Sequence, residues 1–417
     1  MPPLGPRPAS RRPAAGLGLL LLAGCALLPT GTVATSDYPP ETILRLPDRT
    51  PVSFDALLQA LASARVIYVG EHHTNPHHHR LQRQILEGLA ARGAVALGME
   101  MFARSVQPAL DAWVAGELGE EAFLRAAGWE EEWGMNFALY RGLLLAARDR
   151  HLPVLALNAP REVIRTVARI GLTQLGPEAR AALAEEIAPA SDPYLARLEA
   201  SYAEHQRETP GGLAEFVEAQ LAWDETMAEA VAAFLARPEA ATARLLVVAG
   251  AEHVAFGDGI PARAARRLPH RYAIVLAAGQ GEKVPLEAAD FVWVTAADPE
   301  PPRVPVLGLI LARPEGGGPG LRILWVDPKG AAARAGVQAE DRLLALDGQR
   351  VESPAQVRAA LRGKGADGSA TLTLLRGGAE RQVTARFGEA GAGRPGVSEG
   401  EAPLSRPPAG GQAGGGR

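Results

Sequence analysis

Six short apolar runs punctuate the chain: RVIYVG (65–70), AVALGME (94–100), LPVLALN (152–158), RLLVVAG (244–250), YAIVLAA (272–278) and FVWVTA (291–296). Rich in Val, Leu and Ile and without strict alternation, they read as strands buried on both faces, the pattern of a parallel sheet covered by helices. Between them the spacing turns helical. FDALLQALASA (54–64) places apolar residues three and four apart with Ser53 as its cap, and SVQPALDAWVAGEL repeats that spacing. Phe216, Gln220, Trp223 and Met227 mark a further helix. From Arg161 to Pro238 no strand pattern intervenes, so this stretch reads as an insertion of several helices, large enough for a lid or a second wall. The predicted class is α/β, with a mixed or mostly parallel central sheet, flanking helices and a large helical insertion.

Polar residues cluster where four of these runs stop. RVIYVG gives way to Glu71, His72 and His73; the second run ends in Glu100, the third in Asn158 with Arg161 beyond, the fourth in Glu252 and His253. Ligands of open α/β sheets bind outside the carboxyl ends of the strands, so parallel strands would bring His73, Glu100, Asn158 and His253 together. Two ends repeat a pattern, Gly70-Glu71-His72-His73 and Gly250-Ala251-Glu252-His253. Glycine allows a sharp turn there, and a histidine three residues on can fold back over the crevice. Two imidazoles and a carboxylate make a first shell for zinc or manganese, and water on such an ion is a hydrolytic nucleophile. One Gly-x-x-His alone is equally served by a histidine bonded to a backbone carbonyl. Its repetition after two buried strands, with a strand-end glutamate between, points to a site.

GEHHTNPHHHRLQ (70–82) holds five of the nine histidines, but Asn75 and Pro76 read as an N-cap and first helical residue and divide it. His78 then shares a helix face with Gln82 and His79 with Arg83, while Leu81, Ile85 and Leu89 form the core stripe. His77 is expected to face water. Tyr202 and His205, three apart in a helical segment, and Tyr140 in WGMNFALYRGLL are each either haem-iron ligands or satisfied members of an amphipathic face.

A length of 417 residues suits two domains, and a net charge of -4 without basic runs argues against a nucleic-acid partner. Arg7, Arg11 and Arg12 followed by AAGLGLLLLAG form the charged and apolar regions of a secretory signal (1–25), too short to span a bilayer. Its end, Leu22-Ala23-Gly24-Cys25, resembles the lipobox of bacterial lipoproteins, which implies lipidation at Cys25, the only cysteine. The mature chain would then have no thiol and no disulfide, and its acyl chains would anchor it to a membrane. With Ala26 next, the sorting pattern that this resembles implies the outer membrane if the host is Gram-negative. Residues 26–42 read as a tether, the proline-rich 296–304 as a linker, and the Gly/Pro/Ser tail 389–417 as unable to bury enough surface to order itself.

GEHHTNPHHHRLQ, MEMFARSVQPALDAW, NFALY, LNAPREV, WDETMA and AGAEHVAFGDGIP together resemble the ChaN-like family of bacterial haem-binding lipoproteins, a branch of the Tiki/TraB and erythromycin-esterase-like group. The resemblance places that domain at 43–295 and implies haem as cofactor, a role in haem or iron uptake, an extracytoplasmic lipid-anchored location and a homodimer. His72, His73, His78, His79, Tyr140, Tyr202 and His205 are the haem candidates. Tiki-type relatives imply instead a metal-dependent hydrolase or protease using His73, Glu100 and His253. VLGLIL, the stretch 321–361 and ATLTLLRGG resemble a PDZ domain of the bacterial periplasmic-protease type, spanning 305–388. That implies a small β-rich domain in which Leu307, Gly308, Leu309 and Ile310 receive the C-terminus of a peptide or protein partner and PAQVRAAL, capped by Ser353, forms the groove helix. A third reading is a non-catalytic adaptor whose first domain only presents the PDZ module.

Overall fold

The computed structural model describes residues 31–205, 211–297, 307–312, 318–362, 364–365 and 367–387. Strand β1 (Thr32–Ala34) precedes β2 (Ile43–Arg45), β3 (Thr50–Val52), helix α1 (Phe54–Leu61), β4 (Val66–Glu71) and α2 (Pro76–Ala90). Next come β5 (Val95–Ala103), α3 (Gln107–Val114), α4 (Glu120–Ala126), the single turn α5 (Trp129–Glu132), α6 (Phe137–Asp149) and β6 (Val154–Asn158). The insertion is α7 (Arg161–Ile170), α8 (Pro177–Ala181), α9 (Asp192–His205) and α10 (Leu213–Leu235). β7 (Arg244–Gly250), the turn α11 (Ala251–Val254), α12 (Ile260–Arg267), β8 (Tyr272–Gly279), β9 (Lys283–Pro285) and β10 (Phe291–Thr295) complete the first domain.

All six apolar runs are strands. They lie in one eight-stranded sheet of order β3-β2-β10-β8-β4-β7-β5-β6. Every pairing from β10 to β6 is parallel, while β2 joins β10 and β3 antiparallel. Central strands are covered on both faces, which is why their sequence lacks alternation. In β4, Ile67 and Val69 belong to the core under α2, α3 and α6, and Val66 and Tyr68 to the core under α10 and α12. All four are fully buried, and burying an aliphatic side chain of this size contributes roughly 1.5–3 kcal/mol. Helix starts follow the expected capping: Ser53 Oγ accepts the Ala56 N–H at 3.1 Å, and Asn75 Oδ1 accepts the His77 N–H at 2.9 Å.

Three features depart from the expected pattern. Residues 31–42, read as part of a tether, are folded onto the domain: β1 pairs with β9, Val33 is 2% exposed within the core, and Thr35 Oγ1 donates to the Gly279 carbonyl at 2.7 Å. The β2–β3 hairpin has strands of three residues each, too short to show periodicity. Finally, β5 continues past Glu100 to Ala103, and its ladder with β6 breaks between Met99 and Ala103. That break sets Glu100 free of regular pairing at the mouth of the sheet.

The second domain is β-rich, with β11 (Leu309–Ala312), β12 (Leu321–Val326), α13 (Ala331–Arg334), β13 (Arg342–Leu346), β14 (Gln349–Arg350), α14 (Pro354–Arg362), β15 (Ser369–Arg376) and β16 (Ala379–Arg386). Its sheet runs β11-β12-β13-β15-β16 with β14 on β13, around a core of its own that includes Ile323, Leu343, Leu372 and Leu374. Ser353 caps α14 through the Gln356 N–H at 3.3 Å. The signal 1–25 with Cys25, most of the linker and the tail 389–417 lie outside the described residues. Among the described residues no helix is long and apolar enough to cross a membrane.

Gly70 lies inside β4, and a Cβ there would stand 2.6 Å from Leu276 Cδ2, 2.9 Å from Val254 Cγ2 and 3.1 Å from Ala251 Cα. This glycine is required for closeness, where the sequence suggested a turn. Gly70→Ala is expected to lower unfolding free energy by about 1–3 kcal/mol through overpacking, read as a lower urea midpoint at constant m-value.

Candidate functional site

The parallel strand ends converge as their order requires, and two linked polar centres fill the crevice. The first is built on Glu71, the last residue of β4 and wholly buried. Its Oε1 accepts from His73 Nδ1 at 2.9 Å and from the Tyr140 hydroxyl at 2.8 Å. Its Oε2 accepts from Gln82 Nε2 at 2.5 Å and lies 3.3 Å from His79 Nδ1. His79 Nε2 faces the His73 carbonyl at 3.0 Å while its Nδ1 faces Glu71 Oε2 and Gln82 Oε1, so both ring nitrogens look onto acceptors, a setting that favours the protonated ring. Burial alone would neutralise Glu71, but His79 and His73 override it and hold the carboxyl well below the usual carboxylate range. In return, and against burial, Glu71 raises the pKa of His79; burial and then Glu71 push the Tyr140 phenol well up.

Asp224 on α10 anchors the second centre. Its Oδ1 accepts from His253 Nδ1 at 2.7 Å and its Oδ2 from the Tyr194 hydroxyl at 2.5 Å. Opposite, His253 Nε2 is 3.4 Å from Glu100 Oε1, and Glu100 Oε2 accepts the Gly250 N–H at 2.7 Å. Burial opposes a charge on His253, yet Glu100 and Asp224 raise its pKa to about 9. Asn158 serves as a brace: its Nδ2 donates to the Glu100 carbonyl at 2.9 Å and its Oδ1 accepts the Ala159 N–H at 2.8 Å.

Gly250 joins the two centres. A Cβ on it would stand 3.1 Å from His73 Cε1, 3.2 Å from His73 Nε2 and 3.6 Å from His253 Cδ2, so both imidazoles pass beside its α-carbon. His73, Glu100 and His253 thus meet at one point, as the repeated motif implied. Their donors, however, face one another: His73 Nδ1 is held by Glu71, and His253 lies between two carboxylates. Among the described residues no group of three or more His, Asp or Glu is arranged to hold a metal ion.

The other candidates divide by burial. His78 and His79 are buried, with His78 Nδ1 accepting the His72 N–H at 2.9 Å and the two rings 5.1 Å apart. His77, expected in water, is half-buried, and Tyr140 is sealed at 0% exposure. Tyr202 on α9 is half-buried, its ring 5.6 Å from Phe216, and its hydroxyl meets the Gly211 carbonyl at 3.5 Å. His205 ends α9, but its side chain lies outside the described residues. Trp133, just after α5, packs edge-on against His73 at 4.7 Å, and Arg161 Nη1 meets its carbonyl at 3.4 Å.

Sequence reasoning missed Gln82, Asp224 and Tyr194 as members of the site. The buried aspartate had one available signal, its place among Ala222, Thr226 and Met227 on the inward side of a helix.

The pH dependence follows from His253. Its pKa rises from an ordinary 6.5 to about 9 on folding, so its stabilising contribution is complete below about 6.5 and is lost as pH rises through about 9. His79 has the same sign. Urea unfolding followed between pH 6 and 9.5 is expected to show a decline of at most about 3 kcal/mol from this histidine, flattened in His253→Gln, which is also less stable at pH 6.

Residues 57–264 match the family model described as haem-binding uptake, Tiki superfamily, ChaN, and residues 322–376 match the PDZ domain. No curated protein matches the chain. Among solved structures, ChaN of Campylobacter jejuni with cofacial haem is similar at 20% identity and a TM-score of 0.48, over 60% of this chain and 95% of that one. The HtrA-type protease AlgW with a decapeptide matches at 25% identity and a TM-score of 0.18, over 20% of this chain and 28% of that one. The serine endoprotease of Yersinia pestis matches at 21% identity and a TM-score of 0.17, over 19% and 27%. The first domain of this chain is therefore a ChaN-like haem-binding domain of the Tiki superfamily, and its second is a PDZ domain.

Proposed function

We propose that this is a lipid-anchored extracytoplasmic haem-binding protein acting in haem or iron uptake, in which Tyr202 holds the iron and the PDZ domain engages a partner's C-terminus. The division of the candidate ligands carries the choice of Tyr202. Tyr140 and His79 spend their polar atoms on Glu71, Gln82 and the His73 carbonyl inside the core. Tyr202 is half-buried, has a flat apolar neighbour in Phe216, and among the described residues makes one hydrogen bond, long at 3.5 Å. Those features fit haem, since a phenolate is an axial donor to ferric iron and the porphyrin face needs apolar support.

Supporting the anchor are the lipobox-like LAGC at 22–25 and the single cysteine, with the outer membrane as destination in a Gram-negative host. A homodimer suits a ligand held against a surface helix, because the second copy would cover the exposed porphyrin face. In the PDZ domain, Gly308 at φ 75° turns the chain into the edge strand β11, where backbone donors stand ready for an added strand. Ile310 (52% exposed) and Trp325 (48%) stand paired across β11 and β12, an apolar surface for side chains of that partner.

A second reading, a metal-dependent hydrolase, draws on the carboxylates that hold Nδ1 of both His73 and His253, the way metal-bound histidines are oriented. It requires Glu100 and His253 to part. Stoichiometric metal in protein purified without chelator, abolished by His73→Ala or His253→Ala, would favour it; metal-free protein would exclude it.

Titration of the full chain with haemin is expected to give a saturable Soret band. Tyr202→Phe should weaken binding at least roughly tenfold, about 1.4 kcal/mol, whereas Tyr140→Phe should leave affinity unchanged while lowering stability. Equal affinity in Tyr202→Phe would remove Tyr202 as ligand.

A further inference from the structure

A cavity of about 470 Å³ lies at the antiparallel margin of the large sheet, on the face covered by α1 and α2, and is lined by none of the crevice residues. Small-molecule sites commonly occupy roughly 300–1,000 Å³. Trp293 on β10 stands opposite Ile43 on β2, and Ile43 opposite Val52 on β3. Residues directly opposite on neighbouring strands project to one face, so these three form a continuous floor. On α2, Gln84, Glu87 and Gly88 stand at i, i+3 and i+4 and share the face that makes one wall. Phe54 at the start of α1 makes another, its ring 5.5 Å from that of Trp293 and tilted by 56°. Gly88 permits this closeness, since a Cβ there would stand 2.5 Å from Leu58 Cδ1 and 3.2 Å from Phe54 Cζ.

Glu41 joins the lining from the amino-terminal segment. Its backbone lies at φ 73°, a left-handed conformation uncommon for a residue with a side chain and one that gathers at functional sites. Two hydrogen bonds hold it there: the Glu41 N–H donates to the Val294 carbonyl at 2.7 Å, and the Val294 N–H donates to the Thr42 carbonyl at 2.8 Å. The folding of residues 31–42 onto the domain thus brings a carboxylate to the cavity.

Two residues of the lining carry buried polar atoms that are not satisfied. Trp293 is 5% exposed, and its indole Nε1 has no hydrogen-bond partner among the described residues; nor has the buried Oε1 of Gln84. Buried polar groups are normally paired, and here one is a donor and the other an acceptor. No lysine, arginine or histidine lines the cavity, whereas Glu41 and Glu87 do. Glu41 pairs with Arg80, and Glu87 lies 3.7 Å from Arg150, but these are partly exposed pairs that water screens, and neither arginine borders the cavity. An anion is therefore disfavoured, and a purely apolar occupant would leave both orphan atoms unmet.

We infer that this cavity is a binding site for a small organic cation: an aromatic or apolar body that carries an ammonium group and an oxygen acceptor. Gln84 Oε1 and the carboxylates of Glu41 and Glu87 receive the ammonium, and the Trp293 indole N–H donates to the oxygen. Phe54 and Trp293 supply aromatic surface, which attracts a cation and packs on the body of the ligand. The site is independent of the haem reading. Because Glu41 belongs to the amino-terminal segment and Glu87 to α2, the occupant ties the two together.

The test is calorimetric titration of the full chain with three probes: tyramine, para-ethylphenol, which keeps the ring and the oxygen but lacks the ammonium, and the anion para-hydroxyphenylacetate. Tyramine is expected to bind saturably, para-ethylphenol more weakly by roughly tenfold and the anion not at all. Glu87→Gln should weaken tyramine by roughly fivefold, the upper range for one partly exposed charge pair, and leave para-ethylphenol unchanged. Trp293→Phe should weaken both of those probes, because both present an oxygen to the indole; if that variant does not fold, Glu87→Gln carries the test alone. Added salt should weaken tyramine and not para-ethylphenol. No saturable binding of tyramine, equal affinity for tyramine and para-ethylphenol, or tyramine affinity unchanged in Glu87→Gln would each overturn the site.

Discussion

A carboxylate cut off from water must be neutralised where it lies, and Glu71 is such a group: wholly buried at the end of the central strand and contacted by His73, His79, Gln82 and Tyr140. An unmet charge in that position would cost several kcal/mol, so the four partners are obliged to hold their positions. Two of them, His79 and Gln82, lie on α2, and Tyr140 lies on α6. One buried negative charge therefore fixes the entry of α2, the seating of α6 and the orientation of the His73 ring. Asp224 does the same for His253 from the other face of the sheet. The crevice is rigid because each of its imidazoles is held from behind by a carboxylate that has nowhere else to go.

In the haem reading proposed here, rigidity of this kind sets the crevice apart from the surface that meets the ligand. The histidine-rich stretch GEHHTNPHHHRLQ invites a reading as a ligand shell, yet most of its imidazoles serve the interior. In the proposed reading the residue that meets an external iron is instead a tyrosine on the helical insertion, remote in sequence from those histidines. An insertion that sits on the sheet without completing it can vary its outer face at little cost to the core, whereas a change at Glu71 or Gly250 disturbs several elements at once.

What could be read from the chain and what could not follow from the range of each interaction. The six parallel strands were legible because burial on both faces writes itself as an uninterrupted apolar run, and Ser53, Asn75 and Ser353 announced their helices because a cap acts within three residues. The convergence of His73, Glu100 and His253 followed from strand direction and a repeated motif. Tyr194 was silent, and Asp224 gave only the faint signal of its buried neighbours: an aspartate in a helix reads as solvated unless its partner is known, and that partner lies 29 residues away. The hairpin β2–β3 was too short to show a period. For the two motif glycines the position was right and the reason wrong, since neither Gly70 nor Gly250 has a positive φ and both are needed for the closeness of side chains around them.

The order of the sheet also governs when the protein can exist. β4 is the first strand of the parallel array to be synthesised, but its two neighbours are β7 and β8, with Val66 opposite Leu245 and Tyr272. Until those late segments arrive, the earliest strand has nothing to pair with, and pairings of such long range are slow to form. A chain built this way stays open through most of its own synthesis and closes only near the end of the domain. The crevice, which needs the ends of β4, β5 and β7 side by side, is thereby one of the last features to be assembled.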